Sequence, residues 1–124
     1  IGVERCKSSY AFKALLDAGV TVAFGSDWPV VTINPFLGIE AAVTGRTLDG
    51  KNWMTQENIS VEEALKSYTS RAAFSCFMEN TVGKIAVGYA ADFLILNEPI
   101  FSGRVNWGSV RPTHVFVNGL QVPE

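Results

Sequence analysis

Hydrophobic positions near the start of the chain change from helical to strand-like spacing. Between residues 8 and 18, apolar residues recur on one helical face, which predicts a helix with Ser8 at its N-cap and Gly19 after its end. Residues 20–24 form a short apolar run, rich in β-branched side chains, without alternation. Such a run is typical of a strand buried on both faces of a parallel sheet. The predicted helix and the predicted strand together form half of an α/β repeat.

Two further helical patterns carry clear start signals. Asn34 followed by Pro35 predicts a helix to about residue 44, because Asn caps free amides and Pro is tolerated in the first turn. Ser60 and Glu63 have the spacing of a capping box, in which each side chain bonds the other's backbone amide. This box opens a helix through residue 68, and a second helix is predicted over 70–78. Residues 45–58 are polar and irregular.

From Gly83 the pattern favours short strands. Residues 84–87 and 92–96 are strand candidates. Asn118-Gly119 between strand-forming residues selects a type I′ turn, which predicts a β-hairpin. The predicted boundary near residues 80–83 divides the chain into an α/β part, 1–82, and a β part, 83–124.

Composition indicates a packed globular protein and argues against nucleic acid and anionic membranes as partners. The 124 residues are 48% hydrophobic and 18% charged, with a net charge of −2. This balance offers no basic patch for nucleic acid or an anionic membrane, and no apolar run reaches the length of a membrane helix. Cys6 and Cys76 stand alone rather than in a CxxC pair, which favours free thiols in buried or half-buried positions.

Asp27 is the main candidate for chemistry. It follows Gly25-Ser26 at the carboxyl end of the predicted buried strand, the edge at which α/β proteins form their active sites. A carboxylate there can bind a divalent cation and accept a proton from an activated water. In the alternative interpretation, Asp27 only closes a turn through its own backbone.

Other polar and aromatic residues carry weaker signals. Trp28 directly follows Asp27 and could contact a substrate, whereas packing is the general expectation for a tryptophan. Arg46 follows the helix after the strand and could meet a substrate anion, or remain a solvated residue at a helix end. His114, the only histidine, is expected in a partly exposed strand position rather than as a ligand, since a catalytic metal site needs several ligands. Asp92 is expected to order the turn before a strand.

The residues around Asp27 resemble the amidohydrolase superfamily, in its amidohydrolase-3 branch. The resemblance rests on a series of short motifs in order along the chain, among them Gly-Ser-Asp-Trp-Pro-Val at 25–30, Asn-Pro at 34–35, Ser-Val-Glu-Glu-Ala-Leu at 60–65 and Ala-Asp-Phe-Leu-Ile-Leu at 91–96. It extends over nearly the whole chain.

This resemblance implies a fold and a function. The fold class is α/β, as the C-terminal part of the (β/α)8 barrel of a metal-dependent hydrolase plus part of a small β-sandwich domain. The family binds one or two divalent cations, usually zinc, and hydrolyses amide-type C–N bonds with activated water. By resemblance, Asp27 would be a metal ligand and catalytic residue. Trp28 and Arg46 are the candidates for substrate binding because of their positions after Asp27 and after the following helix.

The same resemblance leaves most of the expected active site outside this sequence. The family's His-x-His, mid-barrel lysine or carboxylate and two later histidines do not occur here. The chain also begins at Ile1 without an initiator Met, so we expect an incomplete C-terminal portion, inactive alone and poorly soluble or molten. The alternative is an inactive barrel serving as a binding or scaffold protein. The expected partner is a small amide-type molecule, and a homo-oligomer is left open.

Overall fold

The computed structural model describes residues 2–101 and 103–123 as a mixed α/β structure. Five α-helices, one 3-10 helix and three β-strands occur in these residues. In chain order they are α1 Val3–Cys6, α2 Phe12–Asp17, α3 Pro35–Thr44, the 3-10 helix Thr55–Glu57, α4 Val61–Tyr68, α5 Ser70–Ser75, β1 Phe93–Leu96, β2 Pro112–Val117 and β3 Leu120–Gln121.

Helix α3 begins and ends where its sequence signals place it. The Asn34 side chain accepts a hydrogen bond from the Phe36 amide at 3.0 Å, and Pro35 occupies the first turn. Gly45 follows the helix with φ 69°, the left-handed conformation that glycine adopts without strain. The prediction for this helix is confirmed.

Helix α4 forms one half of the predicted capping box. The Ser60 hydroxyl accepts a hydrogen bond from the Glu63 amide at 3.1 Å. The Glu63 carboxylate, however, lies 2.6 Å from the Arg71 guanidinium and 3.2 Å from the Lys66 ammonium, so it does not return to the Ser60 amide. The following helix ends at Ser75 rather than at residue 78.

The predicted helix over residues 8–18 is shorter and lacks its predicted cap. Tyr10 has φ 53°, which is outside the helical region, and α2 begins only at Phe12. Ser8 donates its hydroxyl to the Arg5 carbonyl of the preceding short helix instead of capping α2. The prediction of Gly19 after the helix holds, since it has φ 78°.

Residues 20–24 do not form a strand among the described residues, which corrects the sequence prediction. Their backbone bonds join the Val20 amide to the Leu15 carbonyl and the Phe24 amide to the Ser67 carbonyl, neither of which belongs to a strand. A strand requires a neighbouring strand, and high β-propensity alone does not supply one. The run is also half-buried at most, rather than buried on both faces.

The C-terminal sheet has the antiparallel order β1-β2-β3. Asn118 and Gly119 have φ 49° and 76°, as a type I′ turn requires, so the predicted hairpin is confirmed. Asp92 accepts a hydrogen bond from the Asn118 amide at 2.7 Å and thereby tethers the turn. Residues 84–87 are not a strand: Ile85 is 84% exposed, and no described residue pairs with this run.

The main core joins α3 and α4 to residues from the second half of the chain. Ile39, 1% exposed, lies in one buried cluster with Phe36, Ile100, Trp107 and Val110. This cluster includes residues on both sides of the predicted boundary at 80–83, and the division into two parts stays a prediction.

Both cysteines are free, as expected, but only Cys6 is half-buried. Cys76 is exposed, contrary to expectation, because it lies just past the end of α5. No helix within residues 2–101 and 103–123 is long and apolar enough to cross a membrane.

Candidate active-site edge

Asp27 lies at the corner of a tight turn. Its backbone carbonyl accepts a hydrogen bond from the Val30 amide at 2.8 Å, and its φ is 52°. Its carboxylate is exposed and has no hydrogen-bonding or ion-pairing partner among the described residues. The turn therefore depends on the Asp27 backbone and leaves the carboxylate available for other contacts. A non-glycine residue in this conformation is uncommon and often accompanies a functional site.

Phe24 attaches the segment before this turn to the helices. Its amide donates to the Ser67 carbonyl of α4 at 2.9 Å. Its ring lies edge-on to Phe12 of α2, with centroids 4.9 Å apart, and to Tyr68 of α4, with centroids 5.5 Å apart. Edge-to-face pairs at these distances are favourable beyond the apolar area they bury. Phe24 is thus the point at which the segment is fixed.

A cleft of about 830 Å³ opens beside this segment. Gly25 and Ser26 form part of its wall, with Arg46, Trp53 and Tyr68 among the other lining residues. Asp27 and Trp28 do not line it. The residues just before Asp27 therefore line the cleft, but Asp27 itself does not.

The three candidate site residues are not brought together in one pocket. Trp28 is 65% exposed at the turn. Arg46 lines the cleft and lies 3.6 Å from Glu40, in an ion pair whose arginine side is largely exposed. His114 lies on β2, exposed, with its Nδ1 atom 3.2 Å from the Thr113 hydroxyl, as expected for a strand residue.

A metal site cannot be assembled from the described residues alone. They contain no group of three or more His, Cys, Asp or Glu side chains able to hold an ion. Asp27 is a single carboxylate, whereas catalytic zinc sites use three protein ligands. The described part of the chain could therefore contribute one ligand at this edge, and further ligands would have to come from outside it.

Tyr68 is a residue of this edge that the sequence did not single out. It contacts Phe24 and lines the cleft, and burial raises the pKa of its hydroxyl above the ordinary value. The phenol therefore stays uncharged over a wider pH range. No local pattern marks Tyr68, because its importance comes from contacts with residues 24 and 38, which are distant in sequence.

Comparison with known proteins identifies the family of the chain. The model of the amidohydrolase family matches residues 1–123. The protein named "Putative amidohydrolase YtcJ" from Bacillus subtilis strain 168 is 37% identical over 105 residues, which are 82% of this chain and 20% of that protein. The N-substituted formamide deformylase of Arthrobacter pascens is 28% identical over 112 residues, 90% of this chain and 21% of the relative.

A solved structure supports the same assignment. The crystal structure of an uncharacterized metal-dependent hydrolase from Pyrococcus horikoshii OT3 matches with a TM-score of 0.75 and 29% identity, over 87% of this chain and 22% of that one. The chain spans about a fifth of the length of the curated relatives it matches. The resemblance inferred from the motifs is thereby confirmed, and this chain belongs to the amidohydrolase family.

Proposed function

We propose that the protein hydrolyses amide-type C–N bonds of small molecules, using water activated by a divalent metal ion. Hydrolase function is supported by the family and by the metal-dependent hydrolase with a similar structure. The choice of the C–N bond is supported by the deformylase, whose name describes removal of a formyl group from a substituted nitrogen. Zinc is the proposed metal, with one or two ions.

We further propose that this chain is the closing portion of a longer (β/α)8 barrel, followed by part of a small β-sandwich domain. Two observations support this proposal. The chain spans about a fifth of its relatives, and the apolar residues 20–24 lack a strand neighbour among the described residues. A strand of this composition is typical of a parallel sheet covered by helices on both faces. Alone, the chain would be inactive.

Asp27 is the proposed catalytic residue and metal ligand of this portion. The observation that carries the proposal is its exposed carboxylate, which has no partner among the described residues and lies in a left-handed turn after the apolar residues 20–24. A bound divalent cation would lower the pKa of a water molecule. The Asp27 carboxylate would accept the proton lost by that water and deliver it to the leaving nitrogen. Trp28 and Arg46 are proposed to contact the substrate from the turn and the cleft.

Asp27→Ala in the longer protein tests this function. The zinc-loaded protein is assayed with formanilide, an N-substituted formamide, by following the release of aniline. We expect kcat/KM to fall by roughly 100- to 10,000-fold, the contribution of a positioned acid–base group. Asp17→Ala is the matched control, since Asp17 is an exposed carboxylate on α2 that pairs with Lys13.

Two outcomes would contradict the proposal. Retention of activity by Asp27→Ala would remove this residue from the chemistry. If the wild-type protein binds no metal and leaves formanilide intact, the alternative of an inactive barrel serving as a scaffold is favoured.

A further inference from the structure

We infer that Tyr68 is a positioning residue for Asp27, because its side chain contacts the chain on both sides of the Asp27 turn. This inference rests on the function proposed above. Tyr68 touches Phe24, three residues before Asp27, and Gly38, on the helix that follows the turn. One side chain therefore links both arms of the loop that presents the carboxylate.

The contact before the turn has two components. The rings of Phe24 and Tyr68 lie 5.5 Å apart at 70°, an edge-to-face geometry. The Phe24 amide bonds the carbonyl of Ser67, the residue adjacent to Tyr68. Ser67 is fully buried, and its hydroxyl donates to the Glu63 carbonyl one turn earlier in α4. The end of α4 thus holds Phe24 by its backbone and by its ring.

The contact after the turn depends on the absence of a side chain at Gly38. The Tyr68 hydroxyl occupies the space in which a Cβ atom on Gly38 would lie, and such an atom would also be 3.1 Å from Tyr68 Cζ. Gly38 belongs to α3, whose first residue, Pro35, follows the Asp27 turn closely. Tyr68 therefore packs directly against the backbone of α3, in the arm that leaves the turn.

Between these two contacts the loop has little other support. The Asp27 carbonyl accepts the Val30 amide inside the turn itself. Trp28 is 65% exposed and Val30 is 76% exposed, so neither packs the turn against the body of the protein. Tyr68 contacts both arms, so a change at Tyr68 should shift the position of the Asp27 carboxylate.

Four variants of the longer protein separate the ring from the hydroxyl. Tyr68→Leu removes the aromatic contact, whereas Tyr68→Phe keeps it. Gly38→Ala introduces a Cβ atom that overlaps the hydroxyl and should displace the ring. Combining Gly38→Ala with Tyr68→Phe removes the overlapping atom and should largely restore the wild-type position. Phe93→Leu is the matched control, because it breaks the stacked Phe93–Phe116 pair between β1 and β2 of the C-terminal sheet.

Hydrogen exchange measured by mass spectrometry on peptides covering residues 22–31 is the primary readout. Tyr68→Leu and Gly38→Ala should speed exchange there roughly fivefold to tenfold, the effect of losing an aromatic contact. Exchange in Tyr68→Phe and in the double variant should stay close to that of wild type. Phe93→Leu should change exchange only in peptides from the C-terminal sheet. Equal exchange in 22–31 for Tyr68→Leu and wild type would overturn the inference, as would an equal change throughout the protein.

Turnover of formanilide by the zinc-loaded protein provides the second readout. Tyr68→Leu and Gly38→Ala should lower kcat by roughly 100-fold, as a displacement of about 1 Å can, with little change in KM. If Asp27→Ala abolishes turnover but Tyr68→Leu leaves kcat unchanged, the inference fails while the proposed function stands. If wild type does not turn over formanilide, the proposed function fails, and exchange in residues 22–31 alone decides whether Tyr68 holds the turn.

Discussion

Residues 20–24 and strand β1 are apolar segments of similar length with different structures. The first has three β-branched residues in five, and the second, Phe93–Leu96, has one in four. Yet only β1 is a strand, since β2 lies antiparallel beside it and Phe93 faces Phe116 with rings stacked 4.4 Å apart. Residues 20–24 are held instead by helix carbonyls at Val20 and Phe24 and by two rings at Phe24.

The comparison shows that an apolar segment forms a strand only when a second strand lies beside it. Strand β1 pairs antiparallel with β2, which lies later in the chain and within the described residues. A parallel strand needs neighbours that are far away in sequence. For residues 20–24, such neighbours are not among the described residues, and the first two predictions below test whether a longer protein supplies them.

The largest expected effect is the loss of cooperative folding in the 124-residue chain alone. Large apolar side chains such as Trp28, Val30 and Ile33 are more than 60% exposed, which favours association or a molten state. We expect helical far-UV circular dichroism, little near-UV signal and no sharp thermal transition. The longer protein, measured in parallel, should unfold cooperatively. A sharp transition with well-dispersed amide resonances for the 124-residue chain would mean that residues 20–24 need no partner.

A smaller effect is expected from Val20→Asp, and it should depend on context. Val20 is 47% exposed here, so the charge should be harmless or improve solubility in the 124-residue chain. In the longer protein, a buried unpaired carboxylate should cost about 3–5 kcal/mol. Urea unfolding and soluble yield measure both effects. Val20→Thr, which keeps the β-branched shape, should cost much less, and equal tolerance of Asp in both chains would show that nothing covers this face.

The smallest effect concerns an ion pair whose partners are both in the chain. Hydrogen bonding from the Arg71 guanidinium, followed by that from Lys66, lowers the pKa of the Glu63 carboxyl. Because the folded-state pKa is lowered, the pair stabilises the fold above the ordinary carboxyl pKa and loses this contribution as pH falls through the lowered value. Glu63→Gln in the longer protein should cost about 1 kcal/mol at pH 7 by urea unfolding.

This cost should shrink towards zero as the pH is lowered and wild-type Glu63 becomes protonated. Glu62→Gln is the control, because Glu62 is more exposed and pairs only with Lys66. A cost that is independent of pH would show that the Glu63 ion pair does not stabilise the fold.

Sequence predicted the elements whose signals lie within a few residues. Asn34 and Gly45 bound α3, Ser60 caps α4, and Asn118-Gly119 forms the hairpin turn. These predictions succeeded because each depends on short-range hydrogen bonds or on a backbone conformation available to few residues. The helix over 8–18 was misjudged at its start, since the positive φ of Tyr10 follows from no local pattern.

One part of the candidate site, the position of Asp27, was predictable because its signal also lies within a few residues. The position of Asp27 after the apolar run could be read from sequence, and the structure leaves its carboxylate unpartnered. The contacts of Tyr68 with Phe24 and Gly38 could not, because they join segments separated by thirty or more positions. The roles of Asp27, Trp28 and Arg46 stay predictions.

The buried cluster that joins Phe36 and Ile39 to Trp107 and Val110 affects how the protein is made. Helix α3 leaves the ribosome long before the residues that cover it, and translation adds about 5–20 residues per second. For several seconds the inner face of α3 therefore lacks its native cover, although helices α4 and α5 have already been synthesised. During that interval, Ile39 can pack only against cluster residues already synthesised, such as Ala64, and its full burial waits for the segment around Trp107.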